Sequence, residues 1–201
     1  MTDNDMTDDV RDDGTGRTAS DGTVGDGLAG DGAAGDGAAF REAANGEHTV
    51  NGIPRSVTSL TPFLVIPDAR GAITFYRDVF GARVVDVTEM SGAVAHAVLD
   101  FGNGQLQLGE PLPAYGLVAA PEGDEDCYSM GLYRPDVDAT LARAKAAGAT
   151  VREPATTFVS GDRFASIRDP FGVRWSIMTR VEDLSEEESA RRVAEWAAQQ
   201  S

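Results

Sequence analysis

One order of landmarks occurs twice along this chain, and that duplication limits the folds open to it more than any other feature. Pro67-Asp68 and Pro135-Asp136 lie 68 residues apart, Gly81-Ala82 and Gly148-Ala149 lie 67 apart, and Gly104 and Gly172 lie 68 apart. Three landmarks at almost one offset indicate a tandem repeat of a single supersecondary unit. In the first copy, residues 59–66 read as a strand ended by Pro67, with Asp68 as helix N-cap. Ala72, Ile73, Tyr76, Val79 and Phe80 recur at helical spacing over 69–80, and Gly81 is the stop. Strands follow at 83–88, 93–101 and 105–108, the last two joined by a Gly102-Asn103-Gly104 turn. The second copy repeats the order, with a strand at 128–134, a helix at 137–147, and strands at 150–153, 163–168 and 173–178. Asp169-Pro170-Phe171-Gly172 supplies its last turn. The pattern predicts two βαβββ modules, about 57–112 and 126–180, in an α+β domain spanning 57–185.

The flanks have a different character. Residues 1–56 hold 11 of the 23 glycines, with 12 acids against 4 arginines, and few branched or aromatic side chains. Such a stretch buries too little apolar area to offset the entropy of ordering, so it reads as a disordered acidic leader. Its five-residue Asp-Gly repeat, beginning at Asp21, Asp26, Asp31 and Asp36, lacks the period and the bulky apolar residue of a calcium-binding roll. At the other end, Ser185 and Glu188 form a capping box that opens a helix over 186–201. Its Val193-Trp196-Ala197 stripe could dock on the domain or on a second subunit.

Charge and cysteine content exclude several functions. The chain has 201 residues, with 33 acids against 17 basic residues for a net charge of −16. Binding nucleic acid or an anionic membrane surface needs a basic face, so neither is expected as a partner. A cationic ligand is compatible with the net charge. The single cysteine, Cys127, precludes an intramolecular disulfide and a thiolate metal cluster. It follows Asp124-Glu125-Asp126, which opposes thiolate formation and a nucleophilic role. Ser160 lacks the flanking pattern of a hydrolase nucleophile. No apolar signal segment is visible, and a cytoplasmic location is the expectation. Asp162-Arg163 and Arg168-Asp169 read as local charge pairs that set the last hairpin.

The segments TPFLVIPDARGAITFYRDVFGA (61–82), SMGLYRPDVDATLARAKAAGATV (129–151) and GDRFASIRDPFGVRWSIMTRVEDLS (161–185) carry a resemblance to the vicinal oxygen chelate superfamily. That group includes glyoxalase I, bleomycin-resistance proteins and extradiol dioxygenases. The resemblance implies two modules curled into a cupped eight-stranded mixed sheet, and a homodimer. Where these proteins hold a metal, its ligands come from the first and last strands of each module. Those positions fall here on Thr61 and Ser129, on Ser176, and on Gln107 or Leu108, depending on how the turn is counted. Alternation favours Gln107. Leu64 and Ile66, Leu106 and Leu108, Met130 and Leu132, and Trp175 and Ile177 are the sets expected under the helices. Thr61, Phe63, His96, Gln107, Ser129, Tyr133, Ser176 and Met178 then share the opposite faces.

Thr, Gln, Ser and Ser offer neither the carboxylate nor the imidazole donors that a divalent metal ordinarily takes. The expectation is therefore a protein without a metal cofactor that sequesters a small cationic or aromatic compound in the cup, using these eight residues. Two alternatives stay open. One is a metal-dependent lyase, isomerase or dioxygenase using His96 and Glu110 as atypical ligands. The other is an interaction module with a vestigial cup, acting through the leader and the last helix.

Overall fold

The computed structural model describes residues 42–121, 123 and 125–200. All that follows concerns the unit Ala43–Ser201; the reading of residues 1–41 lies outside the described residues. The stretch read as leader contains a small antiparallel hairpin, β1 (Thr49–Val50) and β2 (Ile53–Pro54). Its turn residues Asn51 and Gly52 both take positive φ, the geometry that an Asn-Gly pair adopts most easily.

The first module runs β3 (Phe63–Val65), α1 (Ala69–Phe80), β4 (Arg83–Met90), β5 (Ala93–Asp100) and β6 (Gln105–Gly109). The second runs β7 (Met130–Tyr133), α2 (Val137–Ala146), β8 (Thr150–Thr157), β9 (Asp162–Arg168) and β10 (Arg174–Arg180). Each forms a four-stranded mixed sheet of the same order, β3-β6-β5-β4 and β7-β10-β9-β8, with the first pair parallel and the others antiparallel. The duplication is thus repeated in the strand pairing. The expected eight strands are present, as two mixed sheets of four. A final helix, α3 (Glu186–Ala198), follows.

Local chemistry sets the helix ends. Asp68 accepts from Gly71 N–H at 2.9 Å, Asp136 from Ala139 N–H at 2.9 Å, and Ser185 from Glu188 N–H at 3.2 Å. Gly81 closes α1 in the left-handed conformation, at φ 71°. Three strand lengths differ from expectation. β3 starts at Phe63 because Thr58–Pro62 takes its own turn, in which the Thr61 hydroxyl donates to Thr58 O at 3.0 Å. β4 reaches Met90 because Ser91 and Gly92, both at positive φ, make a tight hairpin turn. β8 runs through Pro154 to Thr157, which an edge strand with register shifts on either side of Glu153 tolerates.

The expected alternation holds. Leu64, Ile66, Leu106, Leu108, Leu132, Trp175 and Ile177 are buried on the helix-covered faces. The two covered faces feed one core. Phe80 and Tyr76 of α1 approach Trp175 of β10 with ring centroids 4.7 and 5.1 Å apart, and Phe101 adds a third contact at 5.9 Å. Such aromatic pairs contribute about 0.5–1.5 kcal/mol each beyond their area burial.

Asp169 ties the modules together. Its buried carboxylate accepts from Tyr76 Oη at 2.7 Å and Trp175 Nε1 at 3.0 Å. It also accepts from the backbone N–H of Phe171 at 2.9 Å and of Val173 at 2.8 Å. The expected pairing of sequence neighbours is therefore corrected. Adjacent strand residues point to opposite faces, so Arg163 reaches Asp138 (2.7 Å), Asp162 takes Arg180 (2.8 Å), and Asp169 turns into the core. The α3 stripe rests on its own domain: Trp196 meets Phe158 edge-on at 5.0 Å, and the Ser189 hydroxyl donates to Ser160 O at 3.0 Å.

Candidate functional site

Each sheet has one face covered by the core and one that is not. On the first sheet, Phe63 and Gln107 are register partners, as are Gln107 and Val98, and all three alternate with buried Leu64, Leu108 and Leu99. His96, two residues along β5, stacks on Phe63 at 6.0 Å with 30° between the rings. Phe63, His96 and Gln107 therefore form one half-exposed surface. Thr61 precedes the strand, with its hydroxyl engaged by Thr58.

On the second sheet, Gly131 pairs with Ser176, and Tyr133 with Met178. The hydroxyls of Ser129 and Ser176 are 2.9 Å apart and hydrogen-bonded. Tyr133 is exposed and Met178 half-buried. The eight predicted site residues thus fall into two groups, one per sheet. Among the described residues, no hydrogen bond, ion pair or ring contact joins one group to the other.

The donor set does not fit a divalent metal. Of the four positions that the resemblance would assign to metal ligands, two hold serines hydrogen-bonded to each other, one holds a threonine bonded within its own turn, and the fourth holds an amide. Neutral hydroxyl and amide oxygens alone are poor ligands for zinc, nickel or iron. His96 and Glu110 each have a partner of their own. Glu110 accepts from Val94 N–H at 3.3 Å and adds to the field that raises the pKa of Arg70 on α1, whose main partner is Glu89, whereas His96 stacks on Phe63. No group of three or more His, Cys, Asp or Glu side chains able to share a metal ion occurs among the described residues.

Sequence reasoning missed the charge of the second face. Arg168, Arg174 and Arg180 alternate with the buried residues of β9 and β10 and so lie on the same face as Ser176 and Met178. Arg180 pairs with Asp162, and Arg174 donates to Ser166 Oγ at 3.1 Å and to Glu153 at 2.7 Å. Arg168 lies 3.5 Å from Asp126, so each of the three arginines has an acidic neighbour and the face carries both signs of charge. The signal is the i, i+2 spacing of Arg174 and Ser176, which puts both on one face of a strand.

Two repeated βαβββ modules, sharing one core and each presenting an uncovered sheet face, define the architecture of a paired-module α+β protein. The chain belongs to the Glyoxalase/Bleomycin resistance protein/Dioxygenase superfamily, whose family model matches residues 56–177. It is similar to an uncharacterised protein of Mycobacterium bovis, with 33% identity over 134 residues, 65% of this chain and 88% of that protein. An uncharacterised protein of Mycobacterium tuberculosis matches at the same identity, over 79% of its length. Among solved structures, TioX from Micromonospora sp. ML1 is 27% identical, covers 61% of this chain and 98% of its own, and superposes with a TM-score of 0.48. Among the described residues, no helix is long and apolar enough to cross a membrane.

Proposed function

We propose that this protein binds a small planar or aromatic molecule on its uncovered sheet faces and does so without a resident metal. The observation that carries the reading is the Ser129–Ser176 hydroxyl pair, which occupies two of the four family ligand positions and leaves them no anionic donor. Phe63 and His96 supply a stacked aromatic platform; Tyr133 and Met178 supply exposed aromatic and polarisable surface; Gln107 supplies an amide donor and acceptor. A few polar anchors on mainly apolar surface are what small-ligand sites require. Capture needs no proton transfer and no nucleophile, so none is assigned. A homodimer suits this reading, because a second copy can bring the two groups of site residues together. So does a cytoplasmic location, where the exposed Cys127 stays reduced.

Thermal melting of the full chain against a library of planar aromatic compounds tests the proposal. A ligand that binds only the folded state raises the melting temperature. Compounds that do so are expected to lose about tenfold or more in affinity in Phe63→Ala or Tyr133→Ala, since stacking on an aromatic ring contributes about 0.5–1.5 kcal/mol beyond the area it buries. Hits unaffected by both substitutions, or no hits at all, would overturn it.

A further inference from the structure

A cavity of about 350 Å³ lies between the modules, where the β5–β6 turn of the first meets β7 of the second. Phe101 and Leu106 line it from the first module, and Leu132 and Trp175 from the second. Phe101 is half-buried and the other three are buried, so the cavity reaches the shared core. No charged side chain lines it among the described residues.

Its polar groups come mainly from the main chain. β7 is the edge strand of its sheet and pairs with β10 alone among the described residues. Arg134 N–H donates to Met178 O at 2.8 Å. In a trans peptide the C=O points opposite to the N–H that follows it, so the Tyr133 C=O points out from the sheet edge. Alternate residues of a parallel strand face its partner, so the N–H and C=O of both Gly131 and Tyr133 point outward. Both residues line the cavity. Gly131 leaves the edge bare, since a Cβ there would meet only Met178 Cε, at 3.5 Å. On the first module's side, Gln105 donates through Nε2 to Ser56 O at 2.7 Å, and its Oε1 is buried without a partner among the described residues. Unmatched donors and acceptors beside apolar walls are the makings of a small-ligand site.

We propose that this cavity takes a flat, neutral heteroaromatic ring carrying an N–H donor next to a carbonyl or ring-nitrogen acceptor. The polar edge of the ring pairs with the outward C=O and N–H groups of β7, as an added strand would. Its apolar body lies against Phe101, Leu106 and Trp175, where aromatic side chains favour a planar partner. The volume is at the lower end of the range that small organic ligands fill, which suits a ring system of one or two rings. The absence of charged lining among the described residues selects against an ionised ligand. Tyr133 serves this site through its main chain, not through the side chain assigned above, so the inference stands apart from that assignment.

The test is thermal melting of the full chain with carbostyril, a bicyclic lactam, and with N-methylcarbostyril, which keeps the rings and lacks the N–H. Carbostyril is expected to raise the melting temperature, and the N-methyl compound to need about tenfold or more concentration for the same rise. Gly131→Pro removes one outward N–H and crowds the edge while sparing the β7–β10 ladder, because proline is accepted on edge strands. It is expected to abolish the rise. The inference is overturned if carbostyril gives no rise, if the N-methyl compound matches it, or if Gly131→Pro leaves it unchanged. Should Gly131→Pro not fold, Phe101→Leu decides: weakening by about threefold or more supports the site, and unchanged binding overturns it. If Gly131→Pro instead converts a dimer to a monomer in light scattering, the edge belongs to a second copy and the inference is likewise overturned. A rise lost in Phe63→Ala but kept in Gly131→Pro would place the compound on the uncovered faces, so failure here is separable from failure of the reading above.

Discussion

Asp169→Ala is expected to lower the melting temperature of the chain by about 10 °C, from a loss of about 3–5 kcal/mol at about 2–4 °C per kcal/mol for a domain of this size. The carboxylate is the common acceptor of four donors, Tyr76 Oη, Trp175 Nε1 and two backbone N–H groups. Deleting it leaves those donors buried and unsatisfied, each costing about 1–3 kcal/mol before relaxation or water entry. Tyr76→Phe removes one donor and no acceptor, so its cost should be about 1 kcal/mol. The same site gives a pH dependence with a definite sign. Burial, the largest influence, raises the Asp169 pKa, and the four hydrogen bonds only partly oppose it. The folded chain therefore binds this proton more readily than the unfolded one. As pH falls through the folded pKa toward the unfolded value, wild type gains stability relative to Asp169→Asn, and below the unfolded value the difference stops changing. Melting of both proteins across pH 3–8 measures it.

Trp175→Ala should be comparably severe, at about 3–5 kcal/mol for a large-to-small change in a close-packed core. Trp175 is 2% exposed and packs against Tyr76, Phe80 and Phe101, all from the other module. It also donates to Asp169. The two substitutions remove one shared interaction, so the double variant is expected to be more stable than the two separate losses predict when added. Intrinsic fluorescence gives a second readout. The other tryptophan, Trp196, is 40% exposed on α3, so Trp175→Ala should leave only the emission of a solvent-accessible indole.

How much of this was legible beforehand depended on sequence distance. The helix-covered faces were readable because alternation is local: Leu64 and Ile66, or Leu106 and Leu108, declare their face within three residues. Both module helices were readable for the same reason, from an Asp cap and a Gly stop at fixed offsets. The link between modules was not. Tyr76 and Asp169 are 93 positions apart, and neither stands out in its own segment, where a helix-face tyrosine and a turn aspartate both have ordinary explanations. Asp126 was equally hidden. It sits in an acidic linker whose composition suggests solvated charge, and its three arginine neighbours come from three strands. The Thr, Gln, Ser, Ser ligand positions were readable only through family resemblance. What the structure adds is that Ser129 and Ser176 engage one another, while His96 and Glu110 have separate partners.

The central claim is that ligand capture here proceeds without a resident metal. Its most direct test is the melting temperature of the EDTA-treated full chain, alone and with Zn, Ni, Mn, Fe or Mg ions. Binding at 100-fold excess over the dissociation constant stabilises the folded state by about 2.7 kcal/mol, a shift of several degrees. The prediction is that none of the five ions raises the melting temperature. A rise specific to one ion, abolished by His96→Ala or Glu110→Ala, would contradict it and assign the protein to the metal-dependent side of its superfamily.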